Sequence, residues 1–225
     1  MPFVPEKPIF CYVTDRKLLG AAAPSECLLA NIRAAIEAGV DWVQIREKDL
    51  KARDLLAVAR AAVAMARNAS RAQRARVLVN DRLDVALAAG ADGVHLGHES
   101  LAAREVVRWC RAGNAPAEFL IGVSCHDAGE ARGAQSAAAS YIFFGPVFAT
   151  PSKESFGPPQ GATKLGEVCR AVRLPVIAIG GVNKENAAEC LREGAAGIAA
   201  IRLFQEARDP AVLQHVLARL RDPTR

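Results

Sequence analysis

The chain has 225 residues, of which 51% are hydrophobic, 5% aromatic and 24% charged, with a formal net charge of +5. No apolar run is long enough to cross a bilayer, and aromatics are too few for base-stacking platforms, so neither a membrane nor a nucleic-acid partner is expected. The positive balance suits a small anionic ligand, drawn in by the field of a site.

Residues 1–8 form a Pro-rich arm without the basic and apolar regions of a secretion signal, so a cytoplasmic location is expected. The six cysteines are Cys11, Cys27, Cys110, Cys125, Cys169 and Cys190. They make no C-x-x-C pair and no zinc spacing, and read as free thiols of a reducing compartment.

From residue 9 onward, short apolar runs alternate with Ala-rich helical segments. Strands are predicted over 9–15, 42–47, 77–80, 93–97, 119–124, 141–148, 175–181 and 197–204. Helices are predicted over 25–38, 52–69, 82–89, 101–111, 128–138, 164–171, 184–192 and 210–220. The strands are rich in Val, Ile and Phe, as suits strands covered on both faces. Eight successive β–α units predict an α/β fold, a single (β/α)8 TIM-barrel domain over 1–225. A doubly wound open sheet would carry G-x-G-x-x-G after Tyr12-Val13-Thr14-Asp15, and that motif is absent. The recurring Gly39-Val40-Asp41, Gly90-Ala91-Asp92 and Gly194-Ala195-Ala196 segments read as helix-to-strand turns. The longest connection, 149–162, reads as a mobile loop over the site.

In such a barrel every strand's C-terminal end meets on one face, and the polar clusters of this chain fall there. Gln44, Arg46 and Lys48 alternate at the second strand end, which puts them on one side with Ile45 and Glu47 on the other. Two cations and an amide at one spot suit a phosphate or diphosphate. Asn80 and Asp81 end the third strand. Asp81 is a candidate magnesium ligand, since hard cations take carboxylate oxygen, while Asn80-Asp81 taken alone reads more simply as a cap for the next helix. His95 and His98 lack the helical spacing of a metal pair. His126, after Ser124 and Cys125, is a candidate proton shuttle. Cys125 and His126 are sequence neighbours and point apart, which argues against a Cys–His nucleophile. Thr150, Ser152 and Lys153 open the long loop, where hydroxyls and an ammonium could close over an anion. Gly180-Gly181 ends the seventh strand, where backbone N–H groups can approach a phosphate. Arg202, read as the end of the eighth strand, binds either that phosphate or a nearby carboxylate.

Taken in order, Val43-Gln44-Ile45-Arg46-Glu47-Lys48, Val79-Asn80-Asp81, Asp92-Gly93-Val94-His95-Leu96-Gly97, Gly122-Val123-Ser124-Cys125-His126, Phe144-Gly145-Pro146-Val147-Phe148-Ala149-Thr150-Pro151-Ser152-Lys153 and Ile179-Gly180-Gly181-Val182 resemble the thiamine phosphate synthase and thiazole tautomerase superfamily of barrels. The resemblance implies condensation of an aminopyrimidine diphosphate with a thiazole phosphate, releasing pyrophosphate. It assigns Gln44, Arg46, Lys48 and Lys153 to the diphosphate and Asn80 to the pyrimidine or its diphosphate. It assigns Asp81 to Mg2+, Ser124, Thr150 and Ser152 to the reacting pair, and Gly181 to the thiazole phosphate. It also implies a homodimer. Where synthases of this pattern carry a second metal-binding Asp stands Ser100, which leaves Glu99 as the substitute ligand. Where they carry a phosphate-binding Ser at the last strand stands Arg202. Both departures lean towards the tautomerase branch, in which His126 would be the general acid/base and no metal is needed. The retained Gln44, Arg46, Lys48, Asn80, Asp81 and Lys153 lean towards the synthase. A barrel that only binds a thiamine precursor is the third reading.

Overall fold

The computed structural model describes residues 7–20, 24–70, 74–150, 158–207 and 209–221. The expected strands form as β1 Ile9–Val13, β2 Trp42–Ile45, β3 Arg76–Asn80, β4 Gly93–Leu96, β5 Leu120–Cys125, β6 Tyr141–Phe144, β7 Val176–Ile179 and β8 Gly197–Ala200. The helices are α1 Pro24–Glu37, α2 Ala52–Asn68, α3 Leu83–Ala89, α4 Ala103–Trp109, α5 Ala128–Ser136, α6 Gly161–Ala171, α7 Ala187–Arg192, α8 Arg202–Gln205 and α9 Pro210–Arg221. Each strand pairs in parallel with the next, and β8 pairs with β1, so the sheet closes into the expected TIM barrel. Among the described residues no helix is long and apolar enough to cross a membrane.

Three of the differences from the sequence expectation have a plain local cause. The strand expected over 141–148 stops at Phe144, because Pro146, joined to Gly145 by a cis bond, has no N–H for the ladder. The strand expected over 197–204 stops at Ala200. There the Ile201 carbonyl accepts from the amides of Phe204 and Gln205, turning the chain into α8. Finally, α7 starts at Ala187 rather than 184, because Asn183 Oδ1 accepts from the amides of Glu185 and Asn186 and makes a turn first. Residues 1–6 of the N-terminal arm and 151–157 of the long loop lie outside the described residues.

The apolar strand positions divide between two cores. One packs the outer sheet face against the helices, with Ile45, Val77, Val79, Ile142 and Ile198 fully buried. The other fills the barrel, where Cys11, Trp42, Leu78, Tyr141 and Ile177 meet in the lower half. Trp42 and Tyr141 touch across the axis with ring centroids 4.6 Å apart. Gly122 makes this possible: a Cβ there would fall 2.6 Å from Tyr141 Cε1. Above this plug the inward positions turn polar (Gln44, Asn80, His95, Ser124), and the upper barrel opens as a cavity instead of filling.

The opposite end is sewn by the recurring aspartates. Asp41 accepts the Phe10 amide at 2.8 Å, and Asp92 accepts the Val77 amide at 2.7 Å. Arg221 of α9 donates to Asp41 and to the Gly39 carbonyl, tying the chain's last helix to its first strands. These turns are scaffold, at the end of the barrel away from the polar clusters.

Candidate active site

A cavity of about 850 Å³ sits at the C-terminal ends of the strands. Gln44, Arg46, Lys48, Asn80, Asp81, Glu99, Ser124, His126, Thr150, Gly180, Gly181 and Arg202 all line it, so residues up to 158 positions apart in sequence share one chamber, from Gln44 to Arg202. Ser152 and Lys153 lie outside the described residues.

On one wall, Gln44 is buried and Nε2 donates to Asn80 Oδ1 at 2.9 Å, while Asn80 Nδ2 donates to Asp81 Oδ2 at 2.6 Å. A carboxylate can only accept, so it fixes the Asn80 amide, which in turn fixes the Gln44 amide. Gln44 Oε1 is left buried and without a partner among the described residues. Arg46 and Lys48 line the same wall, while Glu47 is buried behind it, as alternation along the strand requires. The helix-cap expectation for Asp81 does not hold. The residue before α3 is Arg82, with no side-chain cap, and Asp81 turns instead across the strand ends to accept from Gly97 N–H and Ser100 Oγ. Asp81 takes φ of 60°, a left-handed conformation that few residues other than Gly, Asn and Asp adopt readily.

On the facing wall, Gly180 and Gly181 have φ of 93° and 67°. Neither has room for a side chain: a Cβ on Gly180 would lie 2.6 Å from Pro146 Cα, and one on Gly181 would lie 2.5 Å from the Ala149 carbonyl oxygen. The amides of Val147 and Phe148 donate to the carbonyls of Ile179 and Gly180, so the exits of β6 and β7 run side by side and bring Thr150 to the glycine pair. Arg202 is not on a strand end. It opens α8 at the cavity edge, half exposed, 3.9 Å from Glu206 in the same turn. Lys184 adds a second cation on this side.

Between the walls stands Ser124, whose Oγ lies 3.0 Å from His95 Nε2, while His95 Nδ1 lies 3.1 Å from the Tyr141 hydroxyl. Burial pushes the Tyr141 phenol well above its ordinary range, so it keeps its proton, and among the described residues it has His95 Nδ1 as its hydrogen-bond partner. Tyr141, His95 and Ser124 thus form one hydrogen-bonded chain, in which a neutral imidazole gives one proton and takes one. Ser124, at the end of that chain, lines the cavity. His95 packs on Phe143 with centroids 4.2 Å apart, which fixes the ring. His126 Nδ1 meets the Gly145 carbonyl, which can only accept, so that nitrogen carries the proton. Cys125 is buried, and burial raises its thiol to about 12, so it is no nucleophile at neutral pH.

Residues 10–204 match the model of the family described as thiamine monophosphate synthase. The chain belongs to the thiamine monophosphate synthase family. It is 44% identical to a putative thiamine-phosphate synthase of Geobacter sulfurreducens over 94% of this chain and 93% of that one. It is 38% identical to a thiamine-phosphate synthase of a Roseiflexus species over 96% and 86%. In solved structures it is similar to a thiamine phosphate pyrophosphorylase from Pyrococcus furiosus, with a TM-score of 0.81 and 30% identity over 97% of each chain.

The family typically uses Mg2+. The donors here are one carboxylate, Asp81, and the Ser100 hydroxyl bonded to it. Among the described residues no three of His, Cys, Asp and Glu converge as a cage. Glu99, the expected substitute ligand, is exposed on the rim, and the group in contact with Asp81 is Ser100. Such an all-oxygen, single-carboxylate set fits Mg2+, which keeps several waters and takes further oxygens from substrate phosphates.

Sequence reasoning left out three features of this family site. His95 was considered only as half of a metal pair. Its signal was a titratable side chain between Val94 and Leu96 in a strand buried on both faces, beside Asn80 in the parallel register. Lys184 was hidden inside an expected helix. The apolar wall of Leu203, Val212, Leu213 and Val216 comes from α8 and α9 and carried no chemical signature.

Proposed function

We propose that this chain is a thiamine-phosphate synthase, joining an aminopyrimidine diphosphate to a thiazole phosphate to give thiamine phosphate and pyrophosphate. The observation that carries the reading is the division of one cavity into two anion-binding walls, cationic at Arg46 and Lys48 and glycine-lined at Gly180-Gly181, with polar groups between them. The relatives described above carry the synthase name, which supports this reading over the tautomerase.

The reaction breaks the bond between the pyrimidine methylene and the diphosphate oxygen, and the electron pair leaves with the diphosphate. The thiazole nitrogen then supplies the pair for the new C–N bond. Arg46 and Lys48 hold the departing charge in a cavity where they act more strongly than in water. Gln44 Oε1, buried and unpartnered, accepts from the amino group of the pyrimidine and orients the ring. Ser124, held by His95, directs its O–H at the reacting pair. Backbone N–H groups of Gly181 and Val182 receive the thiazole phosphate, with Lys184 and Arg202 at its outer edge. Thr150 lines the same chamber; by resemblance Ser152 is assigned to the reacting pair and Lys153 to the diphosphate. Asp81 and the Ser100 hydroxyl would hold Mg2+, which neutralises diphosphate charge when bound.

The test is direct. Purified protein given both precursors and Mg2+ should form thiamine phosphate and pyrophosphate in equal amounts. Absence of product at every Mg2+ concentration, together with thiazole isomerisation in a chelator that depends on His126, would replace this reading by the tautomerase.

A further inference from the structure

Glu47 is the member of the strand-end motif that turns away from the cavity, yet it makes the most contacts. Its side chain is only 1% exposed. Oε1 accepts the Thr14 hydroxyl at 2.7 Å and the Arg16 amide at 3.1 Å, and Oε2 accepts the Arg16 guanidinium at 3.1 Å. The Thr14 hydroxyl is used twice: it donates to Glu47 and accepts the Arg46 amide at 2.9 Å. Two residues on, Asp49 takes the outer edge of the same guanidinium through contacts of 2.6 and 2.9 Å.

Residues 46–49 are thus pinned at alternate positions. Glu47 and Asp49 face the loop after β1 and share Arg16, while Arg46 and Lys48 line the cavity. Lys48 is exposed and lies between two anchored carboxylates, and Arg46 has its own amide tied to Thr14. Burying a carboxylate is unfavourable unless charge and hydrogen bonds compensate it, so a turn needing only closure would not require one. Arg16, held by two carboxylates, is not among the cavity-lining cations.

We propose that Glu47, acting through Thr14 and Arg16, is a positioning residue that sets Arg46 and Lys48 against the leaving diphosphate. This rests on the synthase reading above. The mechanism is preorganisation: two long cationic side chains hold a departing diphosphate best when their backbone cannot shift.

The experiment measures binding of inorganic pyrophosphate with Mg2+, and KM for each substrate, in the intact protein and in Glu47→Ala, Thr14→Val and Thr14→Ser. Glu47→Ala should weaken pyrophosphate binding and raise KM for the pyrimidine diphosphate by about tenfold or more, leaving KM for the thiazole phosphate within about twofold. Thr14→Val should move the same two quantities in the same direction, and Thr14→Ser should restore them. A folded Glu47→Ala with unchanged KM, or with both KM values raised together, overturns the proposal. If Glu47→Ala does not fold, the Thr14 pair decides, and a Thr14→Val protein like the parent overturns it. Unaffected variants of an active parent sink only the positioning role. A parent that neither binds pyrophosphate nor forms product removes the synthase reading, and this proposal with it.

Discussion

Gln44 Nε2 donates to Asn80 Oδ1 at 2.9 Å, and that bond, fixed from below by Asp81, decides which end of the Gln44 amide remains for a ligand. The remaining end is an acceptor, so the pyrimidine must bring a donor. Gln44→Leu keeps the bulk and removes both functions. Its kcat/KM for the pyrimidine diphosphate should fall by roughly tenfold to a hundredfold, the range for an unsatisfied buried polar group. Steady-state kinetics with each substrate varied in turn will check this. An equal loss for the thiazole phosphate would show that Gln44 does not read the pyrimidine.

Ser124 and His95 should behave as one unit. Removing either residue alone leaves the other without its partner, so Ser124→Ala and His95→Ala should each lower kcat with a smaller change in KM. The double variant should lose far less than the sum of the two, with a coupling of about 0.5–3 kcal/mol. Full additivity in the double-mutant cycle would mean that the 3.0 Å contact has no part in the reaction.

The Ser100 hydroxyl contacts Asp81 directly. Ser100→Asp places a second carboxylate there, with two opposed consequences. Without Mg2+ the like charges should lower the melting temperature. With Mg2+ the half-saturating metal concentration for activity should fall. Asp81→Asn should remove the metal requirement together with most of the activity. Metal titration of activity and of melting temperature separates these outcomes, and an unchanged metal response in both variants would place the cation elsewhere.

Burial raises Cys125, Cys169 and Cys190 from the ordinary 9.0 to about 12. Their folded values exceed their unfolded ones, so the stability linked to them is fully present below pH 9. It is lost as pH rises from 9 towards 12, where the unfolded thiols ionise and the folded ones do not. Melting temperature should therefore fall steeply over that alkaline window. At pH 8 an alkylating reagent should label Cys27, which is partly exposed, well before the five buried thiols. Labelling counted by mass, native against denatured, tests the second expectation.

The barrel was legible in the sequence because eight apolar runs of similar length recur between Ala-rich segments, as a parallel sheet covered on both faces requires, and because the Gly-rich motif of a doubly wound sheet is absent after the first run. The ends at Phe144 and Ala200 were missed because Phe148 and Phe204 carry the apolar pattern onward, and beyond Pro146 the amides of Val147 and Phe148 still bond to the exit of β7. Alternation placed Gln44, Arg46 and Lys48 on one wall. It could not show that Asp81 reaches Ser100 instead of capping α3, since a side chain's partner across two strands is set by register. The apolar wall from α9 was illegible for the same reason: which helix face overhangs a cavity depends on how the last helix lies on the closed barrel.

The left-handed backbone at Asp81 reaches beyond chemistry into inheritance. The chain turns there in a way that favours Gly, Asn and Asp, so the repertoire open to random change is narrow. A descendant that abandoned the cation would drift to Asn or Gly, not to any of the bulky residues. An aspartate surviving there is thus weaker testimony to metal use than its survival suggests, while Ser100, on an unconstrained backbone, is free to record what the lineage did with its metal.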